Sequence, residues 1–291
     1  MQASLNQLLI QARQQHYAVG AFNVYNLEGA LAVIGAGEEL DSPVMLQVLP
    51  SALAIGGRAL IALCRAAADA AKIPVAVHLD HCSERKEIFT ALDAGVGSIM
   101  ADGSALSFEA NVWFTSKMVE LAAKFSADVE AELGCLTGTE DGLILEDDKE
   151  QLTRPDQALR FVRQTRVAAL AVCIGNRHGA YATPPDLDFE RLGAIAAKVS
   201  IPLVLHGTSG LPDEMIEQAV ALGVCKFNIN TEVRTAYLDR LTEYLTNSSK
   251  NHPGFLPGKK PELILLMQKG IGAMKEAVMA KIQLFGSVGK A

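Results

Sequence analysis

Three of the six histidines, His81, His178 and His206, stand at the ends of apolar runs. The runs are Pro74-Val75-Ala76-Val77-His78-Leu79, Ala168-Ala169-Leu170-Ala171-Val172-Cys173-Ile174 and Ile201-Pro202-Leu203-Val204-Leu205. Acids occupy comparable places: Asp80 precedes His81, Asp102 follows Gly97-Ser98-Ile99-Met100-Ala101, and Glu132 lies near the end of Asp128-Val129-Glu130-Ala131-Glu132-Leu133. Imidazoles and carboxylates ligate divalent metals and move protons near neutral pH. Burying them unpartnered costs roughly 1–3 kcal/mol each, so their position beside apolar runs needs a reason. Three neutral imidazoles can complete a catalytic zinc site that keeps one position open for substrate. A single strand aims only alternate residues at one face, so such a cage needs several strands converging at one end. Taken singly, each histidine is equally a hydrogen-bonded core residue and Asp80 a helix cap. Their shared placement is what argues for a site. Cys82, Cys173 and Cys225 lie in or beside apolar runs and read as packing residues.

A second group suits an anion. His206-Gly207-Thr208-Ser209-Gly210 follows one apolar run, and Asn228-Ile229-Asn230-Thr231 ends another and opens a helix. Glycines let backbone amides approach a phosphate, and a helix start adds donors and a favourable dipole.

These residues need a scaffold that brings run ends together. Apolar, strand-like runs are expected at 18–24, 43–49, 74–82, 97–103, 128–134, 168–175, 201–207 and 226–230. Helical segments alternate with them at 27–40, 60–71, 84–94, 108–125, 155–166, 187–199, 212–222 and 231–245, after an amphipathic opening at 5–15. Eight strand–helix units without a linker predict an α/β fold, a (β/α)8 TIM barrel over about 16–247, with active-site residues at the carboxyl ends of its strands. Residues 248–291 are expected to add C-terminal helices, with 261–284 in two parts divided at Gly270 and Gly272. Such appended helices commonly form subunit contacts, so a homodimer or homotetramer is expected. The polar stretch 135–153 is too long for an ordinary βα loop and reads as a lid.

Composition narrows the partners. The 291 residues are 49% hydrophobic and 20% charged with a formal net charge of −7, which argues against nucleic acid and anionic membrane surfaces. A small phosphorylated substrate remains compatible, because amides can hold it locally. No unbroken apolar run reaches the roughly 18 residues of a membrane span, and the first residues lack the basic and apolar regions of a signal peptide. Five dispersed cysteines without a CxxC pair suit a reducing cytoplasm.

His78-Leu79-Asp80-His81, Ala131-Glu132-Leu133-Gly134, Ile174-Gly175-Asn176-Arg177-His178-Gly179, His206-Gly207-Thr208-Ser209-Gly210 and Asn228-Ile229-Asn230-Thr231 resemble, in order, motifs of the class II, metal-dependent ketose-bisphosphate aldolases. That family includes the fructose- and tagatose-1,6-bisphosphate aldolases. The resemblance extends from about Phe22 to the tail 284–291. It implies Zn²⁺ on His81, His178 and His206, with Asp102 and Glu132 as outer partners or alternative ligands. It implies dihydroxyacetone phosphate held by Asn23, Gly179, Gly207, Thr208, Ser209, Asn228, Ile229, Asn230 and Thr231, and a monovalent cation near that phosphate. Glu140 matches the mobile general base and Asp80 the acid/base that serves the aldehyde oxygen. The implied reaction is the reversible aldol cleavage of a ketose phosphate through a zinc-stabilised enediolate.

Two departures from the family pattern stand out. Thr208 occupies a position where Gly or Ala is usual. Bisphosphate-cleaving members tend to carry Asp-Pro-Arg before the terminal helix, whereas this chain reads His252-Pro253-Gly254-Phe255. A terminal phosphate on the aldehyde would need another cation, with Arg58, Arg234, Lys259 and Lys260 as candidates. A Schiff-base aldolase would need a rim lysine; the sixth run has none, and Lys226 is expected to begin the eighth strand. The non-enzymatic alternative is a barrel that binds sugar phosphate or stabilises a partner without turnover.

Overall fold

The computed structural model describes all residues except 141–142, 146–150, 180, 182–184 and 249–261. Eight strands form its centre: β1 (Val19–Asn23), β2 (Val44–Val48), β3 (Val75–Cys82), β4 (Ser98–Ala101), β5 (Asp128–Leu133), β6 (Ala169–Val172), β7 (Leu203–Leu205) and β8 (Val224–Ile229). Each is parallel to both neighbours, and β1 pairs with β8 as well as β2, closing a (β/α)8 TIM barrel. All but Asp128 of these strand residues are buried, which is why they read as near-continuous apolar runs rather than alternating ones.

Local chemistry sets many helix limits. Asn26, Ser107 and Asp188 cap the helices Leu27–Glu39, Phe108–Ala122 and Phe189–Lys198, while Pro155 fits the first turn of Pro155–Thr165. The opening helix Leu5–Gln15 has a capping box between Ser4 and Gln7. Its Leu5, Leu8, Leu9 and Ala12 pack on Val19, Ala21, Met45, Ala76 and Val204, filling the amino end of the barrel with apolar side chains. The polar residues are therefore concentrated toward the other end.

Four expectations need correction. Stretch 135–153 contains an antiparallel hairpin, Thr137–Glu140 with Leu143–Leu145, rather than only loop. The last helix is continuous over Leu263–Leu284; a Cβ at Gly270 would lie 2.4 Å from the Tyr237 ring, so this glycine permits close helix packing rather than a break. The helix after β2 begins at Pro50, not near residue 60, and carries a kink at Gly57 with φ 54°. Strand β8 begins two residues before Lys226, which places that lysine inside the barrel wall.

The helix Pro50–Ala70 is long and apolar enough to cross a membrane by length and composition, with mean hydropathy 1.4. Here it packs against β2 and β3 as one of the barrel's outer helices.

Candidate active site

Strand β3 delivers two consecutive residues to one space. Asp80 follows the alternation of Ala76 and His78, but His81 adopts φ 42°, and the register with β4 shifts between Leu79 and Cys82. This left-handed residue and bulge escape the period-two rule and let neighbouring side chains converge. His78 is engaged separately: its Nδ1 lies 2.9 Å from Ser98 Oγ.

The imidazoles of His81 and His206 meet edge to face, with ring centroids 4.5 Å apart and His81 Nε2 2.7 Å from His206 Nδ1. Their outer nitrogens are already carboxylate-bound. His81 Nδ1 lies 2.8 Å from Asp102 Oδ2, and His206 Nε2 lies 2.8 Å from Glu130 Oε1. Asp102 is held in turn by the Ser104 amide at 3.1 Å and hydroxyl at 2.7 Å. Imidazoles backed by carboxylates, with their other nitrogens converging, are the donor arrangement of a divalent metal site. Candidate ligand atoms of Asp80, His81 and His206 lie within 4.8 Å of one another, as do those of His81, Asp102 and Glu132. Glu132 Oε2 is buried without a hydrogen-bond partner, as expected of an oxygen available to a cation. These residues fit a metal.

His178 completes the histidine cluster by another route. Its ring centroid is 4.8 Å from that of His81 and 6.5 Å from that of His206. It belongs to the short strand Arg177–His178, which pairs with Thr137 and Gly138 of the hairpin rather than with the barrel. Two glycines allow this packing. A Cβ at Gly138 would stand 2.2 Å from the His178 carbonyl oxygen, and one at Gly207 would stand 2.1 Å from that of Arg177. Tyr181 Oη accepts the Arg177 amide and donates to the Gly207 carbonyl, each at 2.7 Å.

Burial and neighbouring charge separate the protonation states. Burial alone would push His81 down, but the carboxylates of Asp80, Asp102 and Glu132 raise it to about 10. Burial would raise Asp102, yet His81 and Ser104 hold it well below its ordinary value. Glu132 is pushed up to about 8 by burial and by neighbouring Asp102. His206 is held well below its ordinary value by burial, His81 and Lys226, so its contact with Glu130 is a neutral imidazole donating to a carboxylate.

Asp80 receives the Asn23 Nδ2 group on one oxygen at 2.9 Å and that of Asn228 on the other at 3.0 Å. The loop 207–209 lies against 228–231: Thr208 Oγ1 donates to the Asn228 carbonyl at 3.0 Å, and the helix Thr231–Ser248 starts beside it. Thr208, Ser209, Ile229 and Asn230 are buried, Gly179 and Gly207 have positive φ, and Tyr25 donates to Asn230 Oδ1 at 2.8 Å. The neighbouring Gly210 amide is occupied by Glu232 at 2.7 Å.

Sequence reasoning did not single out Glu130 and passed over Lys226 as lying on the wrong part of its strand. Both are fully buried, and their side chains are ion-paired beneath His206. The available signal was an acid at mid-strand in β5 and a lysine at mid-strand in β8, each among apolar residues. Glu140 ends a hairpin strand, but its side chain lies outside the described residues, as do residues 252–255, Lys259 and Lys260. Arg58 is ion-paired with Asp93 on the surface.

The model of the class-II fructose-bisphosphate aldolase family matches residues 3–290. The D-tagatose-1,6-bisphosphate aldolase subunit GatY of Klebsiella oxytoca is 39% identical over 289 residues, covering 99% of this chain and 98% of that protein. Among solved structures, the YdjI aldolase from Escherichia coli K12 is 33% identical with a TM-score of 0.85, covering all of both chains. The fructose-bisphosphate aldolase of Campylobacter jejuni, 23% identical with a TM-score of 0.83 over 100% of this chain and 97% of that one, shares the fold.

Proposed function

Because the chain belongs to the class-II fructose-bisphosphate aldolase family and is a carbon–carbon lyase, we propose that it reversibly cleaves a ketose phosphate to dihydroxyacetone phosphate and an aldehyde. The observation that carries this reading is the convergence of His81 Nε2 and His206 Nδ1, each ring backed by a carboxylate, beside an Asp80 held by two amides. His81, His178 and His206 would hold Zn²⁺, with Asp102 and Glu132 as outer partners or alternative ligands. Bound there, the metal supplies Lewis-acid polarisation of the ketone.

In the condensation direction, Glu140 takes a proton from C3 of dihydroxyacetone phosphate. The electron pair left on C3 forms the bond to the aldehyde carbon. The displaced carbonyl pair goes to the aldehyde oxygen, which Asp80 protonates; cleavage runs the same steps backward. Backbone amides around Gly179, Gly207, Thr208 and Ser209, and the segment from Asn228 to Thr231, hold the phosphate, with a monovalent cation beside it. Asn23 aligns Asp80 and substrate. The cytoplasm suits five dispersed cysteines that are all buried.

The decisive experiment is a retro-aldol assay on the purified chain. Chelation should abolish cleavage, and Zn²⁺ or Co²⁺ should restore it. His178→Ala should lose metal while its circular dichroism stays that of a folded barrel. Full activity in metal-free protein would sink the proposal. A second reading follows from the word subunit in the name of the Klebsiella relative: this barrel could require a partner for turnover. A folded, zinc-loaded chain inactive on every ketose phosphate would favour that reading.

A further inference from the structure

We infer that Lys226 is a positioning residue whose buried ammonium fixes the orientation of both His206 and Asn228 for aldol chemistry. This rests on the aldolase reading above and assigns a task within it. Lys226 and Glu130 are both fully buried in the barrel. Inward positions of such barrels are dominated by Val, Ile and Leu, and a buried ion pair is often no more stable than apolar residues of similar volume. The pair therefore has a use other than filling space.

That use follows from which atoms can donate. An ammonium only donates, so the Asn228 atom 2.7 Å from Lys226 Nζ must be the amide oxygen. The amide nitrogen of Asn228 is thereby turned toward Asp80 Oδ1 and His206 Nδ1, each at 3.0 Å. His206 Nδ1 is then an acceptor, and the ring proton sits on Nε2, facing Glu130 Oε1 at 2.8 Å. Glu130 Oε1 also receives Lys226 Nζ at 3.0 Å, which closes a ring of four side chains. Every donor–acceptor choice in this ring follows from the lysine. It leaves His206 Nδ1 without a proton, as a metal ligand must be, and Asp80 facing a donor.

Without the ammonium, Asn228 is free to turn its oxygen toward Asp80, and Glu130 no longer sets the His206 tautomer. Two variants test this: Lys226→Met, and Lys226→Met with Glu130→Gln, which removes both charges together. Zinc affinity is read by competition with a chromophoric chelator and folding by circular dichroism. At saturating zinc, exchange of the C3 proton of dihydroxyacetone phosphate is compared with condensation. The expected result is a folded variant with zinc affinity about 10–100-fold weaker. Condensation should fall at least about tenfold at saturating zinc, while proton exchange falls much less, because Asp80 and not the base is misdirected. Wild-type affinity and condensation in either folded variant would overturn the inference, as would failure of both to fold, which would make the pair's role purely structural. If wild-type protein neither binds zinc nor turns over, it is the aldolase reading that fails.

Discussion

At Asp80 both carboxylate oxygens are held by side-chain amides, Asn23 of β1 and Asn228 of the adjoining β8. Such a group is oriented for transfer to one oxygen, whereas Glu140 lies on a hairpin outside the barrel wall. The two carboxylates should therefore separate kinetically. Glu140→Ala should slow exchange of the C3 proton, and Asp80→Ala should preserve that exchange yet lose condensation, each loss being about 10²–10⁴-fold. Equal loss of exchange in both variants would refute the division of labour. The same scale governs the aldehyde. The segment His252-Pro253-Gly254-Phe255 carries no arginine where the family pattern has one, and Arg58 is paired to Asp93, so neither supplies the charged contact to a second phosphate, worth roughly 1.5–3 kcal/mol. We expect preference for an aldehyde other than glyceraldehyde 3-phosphate. Comparing kcat/KM for bisphosphate and monophosphate ketoses tests this; bisphosphates exceeding every monophosphate, at about 10⁴–10⁵ M⁻¹s⁻¹ or more, would show that another cation serves.

Among the elements, the hairpin and the loop after β7 decide where His178 stands. Gly138 and Gly207 have φ of 105° and 61°, and a side chain on either would collide with a backbone carbonyl of Arg177 or His178. Gly138→Ala should therefore weaken zinc binding at least tenfold as well as lower the melting temperature. Gly57→Ala is the control: φ is 54° and nothing lies within 4 Å of its Cβ, so only backbone strain of about 1–3 kcal/mol is expected, with zinc binding unchanged. Zinc titration alongside thermal denaturation distinguishes the two. Unaltered zinc affinity in folded Gly138→Ala would show that the hairpin does not position His178.

For the whole molecule, a buried polar layer under the site links stability to pH. Burial and the nearby Lys226 charge lower the His78 pKa to about 3, so the folded protein keeps this ring neutral. Above about pH 6.5 neither folded nor unfolded chain protonates it, and its contribution is constant. Below that, the unfolded chain binds a proton the folded one refuses. Stability should fall by up to about 1.4 kcal/mol per pH unit until His78 itself titrates. His78→Asn can keep the bond to Ser98 without titrating, so its denaturation midpoint should fall less between pH 6.5 and 4. Parallel curves for the two proteins at equal metal content would refute this. Exposed Leu263 and Ile264 lie on the C-terminal helix, and exposed Leu27, Leu31 and Leu238 lie on the two helices that pack against it. Light scattering should accordingly give a mass two or four times 31.0 kDa, and a monomer would refute the expected homo-oligomer.

The barrel was legible in the sequence because its signals are local. Buried parallel strands leave short β-branched and apolar runs, caps and prolines mark helix starts, and polar residues at run ends mark the rim. The three histidines, Asp80, Asp102 and the glycine-rich loop after β7 could be named as candidates from those signals alone. The pairing of Thr137 and Gly138 with Arg177 and His178 was not legible, since it joins segments far apart in sequence. Gly270 looked like a helix break because a sequence does not show that Tyr237 packs against it. Glu130 stands out as a mid-strand acid, but the sequence does not show its partners His206 and Lys226, which lie 76 and 96 residues away. Side-chain types and spacing determine which groups could do the chemistry. Which nitrogen faces which oxygen depends on contacts between strands remote in sequence, and only closure of the barrel decides it.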